Sequence, residues 1–243
     1  MFVQYSEDSE RFQPDLEEFP EAWIAPGRKT FSSHAEHVAN LAAPQPPISI
    51  NGIELCVPTN VYHPGIGLSS RFFVDALSKR QIDGYVLDLG CGSGFVGMSV
   101  HRPGMKLVLS DISEAALAST AANLRRLGMQ AEIVQSDLFQ GLRGRRFDAI
   151  IFSPPLFDKA VEHSAEVALC DPGGYLLTRF LNDARNHLAA DGKLYFVASN
   201  LMNRQALLSG LRTYRYGVIA SAQDEASEVS RWIICAEPYA PRA

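Results

Sequence analysis

The segment YVLDLG (85–90) is apolar without alternation, the pattern of a strand buried on both faces, and the residues after it read as a helix to about Val100. KLVLSD (106–111) repeats the strand pattern. Ser113 is placed to cap the helix SEAALASTAANLRRL, and Gly128 supplies its stop. AEIVQSD (131–137) and FDAIIFS (147–153) give two further strands. Tyr175 to Leu188 is amphipathic, Asp191-Gly192 turns the chain, and KLYFVAS (193–199) returns to the sheet. The tail holds a helix near NRQALLSGL and strands around YGVIAS and RWIICAE, with only a loop between these two strands. The expected fold is therefore α/β: a doubly wound, mainly parallel sheet with helices on both faces and a terminal antiparallel hairpin.

Residues 1–47 lie outside this alternation. They are irregular in pattern, rich in acids early (Glu7, Asp8, Glu10, Asp15, Glu17, Glu18, Glu21) and closed by Pro44-Gln45-Pro46-Pro47. They read as a small N-terminal appendage, or lid, on a main domain of residues 48–243, with Trp23 and Phe31 as its anchors. In ISINGIELCV (48–57), Asn51-Gly52 between apolar stretches signals a hairpin, and Ser70 is placed to cap a helix through Phe72, Val74 and Leu77.

Composition narrows the partners. With 243 residues and 47% apolar side chains, the chain can build one good core. A formal net charge of -5 gives no general attraction to phosphate backbones. The basic cluster Arg143, Arg145 and Arg146, with Arg125 and Arg126 upstream, reads as a solvated loop and helix end, so nucleic acid is disfavoured as a partner. Four scattered cysteines without a C-x-x-C pair argue against a zinc site or a disulfide framework and suit a reducing compartment. The start MFVQYSEDSE lacks the basic and apolar regions of a signal peptide, and no stretch is long enough to span a bilayer, so a soluble cytoplasmic protein without a membrane partner is expected. His34 and His37 in HAEH have no accompanying ligand set, read as surface residues, and give no metal site.

The candidate chemistry starts at Asp88-Leu89-Gly90-Cys91-Gly92-Ser93-Gly94, directly after the first strand of the alternation. Glycines there let the backbone turn sharply and approach a ligand at the carboxyl edge of the sheet. A dinucleotide fingerprint requires glycine at position 95, which is Phe95, and this disfavours a nicotinamide cofactor. Asp111 ends the next strand at a spacing that suits a carboxylate accepting ribose hydroxyls, and Asp137 follows the third. An isolated aspartate in either place would read as a turn former, but these stand in register after successive strands. The set resembles the first motifs of class I S-adenosylmethionine-dependent methyltransferases, whose fold is Rossmann-like. The resemblance implies S-adenosylmethionine held by Asp88, Gly90, Cys91, Gly92, Gly94 and Asp111. It also implies Asp137 beside the adenine amino group and Ile112 and Leu138 on either side of the ring.

The fourth strand ends in Ser153-Pro154-Pro155-Leu156, which resembles the (N/D/S)-P-P-(Y/F/W) motif of methyltransferases that act on amide or amine nitrogen. Paired prolines fix the backbone and so the direction of a carbonyl. The resemblance implies that the Ser153 side chain and the Pro154 carbonyl accept hydrogen bonds from the target nitrogen. The hairpin, the segment VPTNVYHP (57–64), and ALCDPGGYL (168–176) are similar to the release-factor glutamine methyltransferase family over about residues 48 to 200. Leu156 replaces that family's stacking aromatic, and HPGIGLSS replaces its R-P-x-T-E run. The expected enzyme N-methylates a small molecule, with Tyr62, His63, Pro155, Leu156 and Phe157 lining the acceptor pocket. The alternatives are methylation of a glutamine side chain in a protein partner and a cyclising, non-methylating use of the cofactor.

Overall fold

The computed structural model describes residues 2–5, 23 and 26–239. The acidic run from Glu7 to Glu21 lies outside them. In chain order the elements are β1 (Phe2–Tyr5), α1 (Arg28–Ala42), β2 (Ile48–Ile50), β3 (Ile53–Leu55) and α2 (Ser69–Ser78). The alternating part follows as β4 (Tyr85–Leu89), α3 (Phe95–Val100), β5 (Lys106–Asp111), α4 (Glu114–Leu127), β6 (Glu132–Gln135) and β7 (Phe147–Phe152). It closes with α5 (Tyr175–Ala184), β8 (Leu188–Ser199), α6 (Arg204–Leu211), β9 (Tyr214–Asp224) and β10 (Val229–Pro238).

Because strand side chains alternate between faces, each buried strand feeds two cores. Val86, Leu107, Leu109, Ile151, Val197 and Ile233 face the helices α2, α3 and α4. Leu87, Leu89, Val108, Ile150, Phe152 and Ile234 face α5 and α6, packing against Leu177, Phe180 and Leu207. The eight-stranded sheet has the order β1-β9-β10-β8-β7-β4-β5-β6. Strands β4 to β8 run parallel, and β10 is antiparallel to both β8 and β9. The chain leaves β4 toward β5 and β6, then returns to the other side of β4 as β7. This topological switch opens a crevice at the carboxyl ends of the strands.

Local signals are realised at the residues that carry them. Asn51 (φ 52) and Gly52 (φ 77) form the β2–β3 turn. Ser113 Oγ accepts from the Ala116 amide at 3.3 Å, and Gly128 ends α4 in the left-handed conformation. Four features differ from expectation. Ser70 sits inside the first turn of α2, whose N-cap is Leu68. Asp191-Gly192 does not break the chain into a separate strand: β8 runs through, and the residues between Leu188 and Lys193 bulge opposite Asp148. Residues 28–42 form a regular helix within a segment that reads as irregular, because α1 buries only Thr30 and Leu41 fully. Residues 2–5 extend the main sheet along β9. Among the described residues, no helix is long and apolar enough to cross a membrane.

α4 secures the hairpin and the glycine loop with one polar face. Fully buried Asn123 accepts from the Cys56 amide at 3.0 Å and donates to the carbonyls of Cys56 (3.2 Å) and Ser93 (3.0 Å). Ser119 donates to the Cys56 carbonyl at 2.8 Å and Thr120 to the Gly92 carbonyl at 2.9 Å. Asn123→Ala leaves these backbone groups buried without partners, so it is expected to lower the unfolding free energy by about 3 kcal/mol. Urea unfolding measures this, and a loss below about 0.5 kcal/mol would show that the clamp carries no load.

Candidate functional site

The crevice holds a cavity of about 660 Å³ bordered by the glycine loop, the ends of β5, β6 and β7, and by α1, α2 and β10. Its floor is the loop after β4. Gly90, Gly92 and Gly94 have φ values of 62, 56 and 82, a region that L side chains rarely adopt. A Cβ built on Gly92 would meet nothing closer than Val61 Cγ1 at 3.9 Å, so bare backbone faces the cavity there.

The aspartates do different work. Asp88 is buried and its Oδ2 accepts from the Gly97 amide at 2.8 Å, which fixes the start of α3. Burial pushes its carboxyl up to about 7. Asp111 Oδ2 accepts from the Gly92 amide and Oδ1 from the Ser113 amide, both at 2.9 Å. Each oxygen keeps lone-pair capacity for a ligand hydroxyl. Asp137 Oδ2 receives Arg179 at 2.8 Å and Gln140 at 3.3 Å. The Cys91 thiol is pushed far up by burial first and by Asp88 and Asp111 next, so it serves as packing. Ile112 borders the cavity at 60% exposure, an unusual position for an isoleucine, while Leu138 is buried at φ 49 with its carbonyl held by Ser136 Oγ. A bare glycine backbone, a carboxylate with spare acceptors and an apolar pair fit the ribose, adenine and methionine parts of S-adenosylmethionine.

Ser153, Pro154, Pro155, Leu156 and Phe157 all border the same cavity, as does Tyr62. Pro154 is buried, and Phe157 is packed between His34 (4.7 Å between centroids) and Phe31 (5.3 Å) of α1. Trp23 stacks on Trp232 at 5.5 Å. Two expected residues lie off the cavity. His63 is buried with its Nδ1 accepting from the Gly65 amide at 3.2 Å, so it shapes its own turn. Gly94 is walled off: a Cβ there would meet Met98 Cε at 2.3 Å, so its role is the tight start of α3.

Ser69, Arg179 and Arg231 also border the cavity without a signal in the sequence that would mark them, and so do His34 and His37, which the sequence marks only as surface histidines. His34 and His37 are half-buried and face the cavity instead of solvent. His34 Nε2 lies 3.0 Å from Glu166 Oε1, and Cys170 completes a group whose ligand atoms fall within 4.8 Å of one another. Lys159 Nζ sits 2.9 Å from the same Glu166 oxygen and already brings the positive charge a metal would supply. Lys159 foremost, helped by the Glu162 and His163 amides and by His34, holds Glu166 down to about 2. This network fastens α1 to the segment after the proline pair.

Asp111→Ala is expected to weaken S-adenosylmethionine binding at least tenfold, since it removes charged acceptors worth roughly 1.5–3 kcal/mol per hydrogen bond and frees the Gly92 amide. Isothermal calorimetry measures the change, and unchanged affinity in a folded variant would take Asp111 out of the site.

Comparison with known proteins narrows the chemistry. The profile of the "Methyltransferase small domain" family matches residues 53–220. Curated relatives named "Ribosomal RNA small subunit methyltransferase C", from Serratia proteamaculans and Cronobacter sakazakii, are each 34% identical over 137 residues, 56% of this chain and 36% of each relative. The chain thus spans little more than a third of those proteins. Among solved structures, a T. thermophilus 16S rRNA N2 methyltransferase in complex with AdoMet and guanosine superposes with a TM-score of 0.59 at 23% identity, covering 81% of this chain and 52% of that one. The fold, with its mainly parallel sheet and antiparallel C-terminal pair, is shared. These relatives are a different branch from the release-factor glutamine methyltransferases that the motifs suggest. Their names also overturn the expectation of a small-molecule acceptor with nucleic acid disfavoured. Net charge is a property of the whole surface, whereas acceptor binding depends on the groups that line a cleft, here including Arg231, which has no ion-pair partner among the described residues. With the family profile matched over more than half of its residues, the chain belongs to the methyltransferase small domain family.

Proposed function

We propose that the chain methylates an exocyclic nitrogen of a nucleobase in RNA, with small-subunit ribosomal RNA as the substrate class. The observation that carries this reading is the Ser153-Pro154-Pro155 segment, which leaves β7 into the cavity beside the glycine loop in a chain whose curated relatives are named as ribosomal RNA methyltransferases. The T. thermophilus protein, solved with guanosine and named for N2 methylation, supports a guanine amino group as the target.

The cofactor, when bound, supplies a methyl group made electrophilic by its sulfonium. Gly90, Cys91, Gly92, Asp111, Ile112, Asp137 and Leu138 hold it, and Asp88 and Gly94 set the loop that these residues depend on. The chain then has to orient the nitrogen and keep water out. Ser153 Oγ and the Pro154 carbonyl accept hydrogen bonds from the amino group, and Pro155, by restricting ψ of the residue before it, keeps that carbonyl from swinging away. Two accepted N–H bonds leave one direction for the nitrogen lone pair. An exocyclic amine sheds its extra proton after transfer, so no strong base is needed beside it. Leu156 offers an aliphatic contact where an aromatic would stack, and Tyr175, 69% exposed at the cavity rim, is the ring available to a base. Within the appendage of residues 1–47, α1 forms the wall that covers the acceptor side.

Transfer of a labelled methyl group tests the substrate class. Unmodified small-subunit RNA should gain nuclease-sensitive label that digests to an N-methylated guanosine. Label confined to protein, or methylthioadenosine released without an acceptor, would contradict it. On the same substrate, Ser153→Ala should lower kcat about five- to 150-fold, the cost of one positioning contact of roughly 1–3 kcal/mol, while cofactor affinity stays unchanged. Ser153→Asn restores an acceptor with added volume and should retain partial activity. A wild-type rate in Ser153→Ala would reduce the proline pair to a strand end.

A further inference from the structure

The acceptor side of the cavity contains a cation that has no counterion among the described residues. Arg231, on β10, borders the cavity and is largely enclosed, with its Nε donating to Ser69 Oγ at 3.0 Å. Among the described residues no carboxylate lies within ion-pair distance of it, and Asp224 acts on it only from farther away. The cavity's own acids are committed elsewhere: Asp88 to the Gly97 amide, Asp111 to Gly92 and Ser113, Asp137 to Arg179. An enclosed guanidinium is costly to hold unless an anion meets it.

Two further features converge on the same end. His37, on α1, borders the cavity, and its Nε2 is buried with no hydrogen-bond partner among the described residues. Burial first, then the charges of His34, Arg231 and His63, bring its imidazole down to about 4, so it stands there as a neutral ring with an unused nitrogen. Ser69 and Ser70 are the first two residues of α2 and also border the cavity, adding hydroxyls at the positive end of the helix. Tyr62 borders the cavity at the same end. In the sheet, β10 is separated from β7 by β8 alone, so Arg231 stands about 10 Å across the strands from the Ser153 strand.

We propose that Arg231, His37 and the Ser69–Ser70 end of α2 form an anion subsite that receives an oxyanion of a cavity ligand, either the phosphate of the nucleotide being methylated or the carboxylate of the cofactor. The phosphate source rests on the RNA reading above, and the carboxylate source does not. Arg231 supplies the charge and paired N–H donors, the serines supply hydroxyl donors, and His37 presents its Nε2 as the remaining donor.

Calorimetry on the full chain with two ligand pairs tests the subsite: guanosine against guanosine 5′-monophosphate, and S-adenosylmethionine against its decarboxylated analogue. In the wild type, the anion-bearing member of one pair should bind at least tenfold more tightly than its partner, and Arg231→Gln should abolish that preference. Preference in the nucleotide pair identifies a phosphate, and preference in the cofactor pair a carboxylate. His37→Phe keeps a ring, removes the nitrogen and should reduce the same preference, which keeps the test decisive if Arg231→Gln does not fold. No preference in either wild-type pair, or a preference that survives in the folded variants, overturns the subsite. A chain that methylates RNA without any such preference loses the subsite alone. A chain with a cofactor-pair preference sensitive to Arg231 but no RNA methylation loses the RNA reading alone.

Discussion

Between Leu89 and Phe95 the chain turns from the sheet edge into α3 through three glycines of positive φ, and the cavity exists only while that loop keeps its shape. Side chains from three directions hold it. Asp88 fixes the far side through the Gly97 amide, and Asp111 holds the Gly92 amide from the neighbouring strand. From α4, Thr120 and Asn123 take the carbonyls of Gly92 and Ser93. With its carbonyls bound on the helix side, the loop presents bare backbone to the cavity. Asp111 thus does two jobs: it shapes the loop and keeps acceptor capacity for a ribose.

Much of this was legible in local patterns. Buried strands announced themselves as apolar runs, Asn51-Gly52 as a turn, Ser113 and Gly128 as the ends of α4, and the glycine loop as a ligand site. Each of these depends on residues near one another in sequence. What was not legible depends on tertiary placement. Nothing in RWIICAE tells that β10 inserts between β8 and β9, because strand order is decided by packing across the sheet. The helix α1 has too few buried residues to show a period, and Asn123 looks like any polar helix residue until its partners on Cys56 and Ser93 are seen. Arg231 opens RWIICAE with nothing in its sequence surroundings to place it beside α1 and α2. Tyr62 and His63 are adjacent in sequence, yet the tyrosine borders the cavity and the histidine does not, a difference set by how the turn packs.

The cavity divides along the sheet. On the β4–β6 side lie the glycine loop and three acids, each with a defined partner. On the β7–β10 side lie the proline pair, two histidines from α1 and an arginine with no counterion among the described residues. A chain of net charge -5 can therefore still place an unpaired guanidinium in its cleft, since the field there is set by the groups that line it and not by the total. α1 is fastened on the second side, at its start by Thr30 on the Ser227 carbonyl (2.9 Å) and along its length by His34 on Glu166.

The central claim is that one crevice holds the cofactor on the glycine loop and aims it at Ser153. A crystal structure of the chain with S-adenosylhomocysteine tests it most directly. The account predicts the ribose hydroxyls on Asp111, the adenine between Ile112 and Leu138, and the sulfur turned toward the Ser153-Pro154 backbone. A cofactor bound outside this crevice, or bound in it with the sulfur facing away from Ser153, would contradict the account.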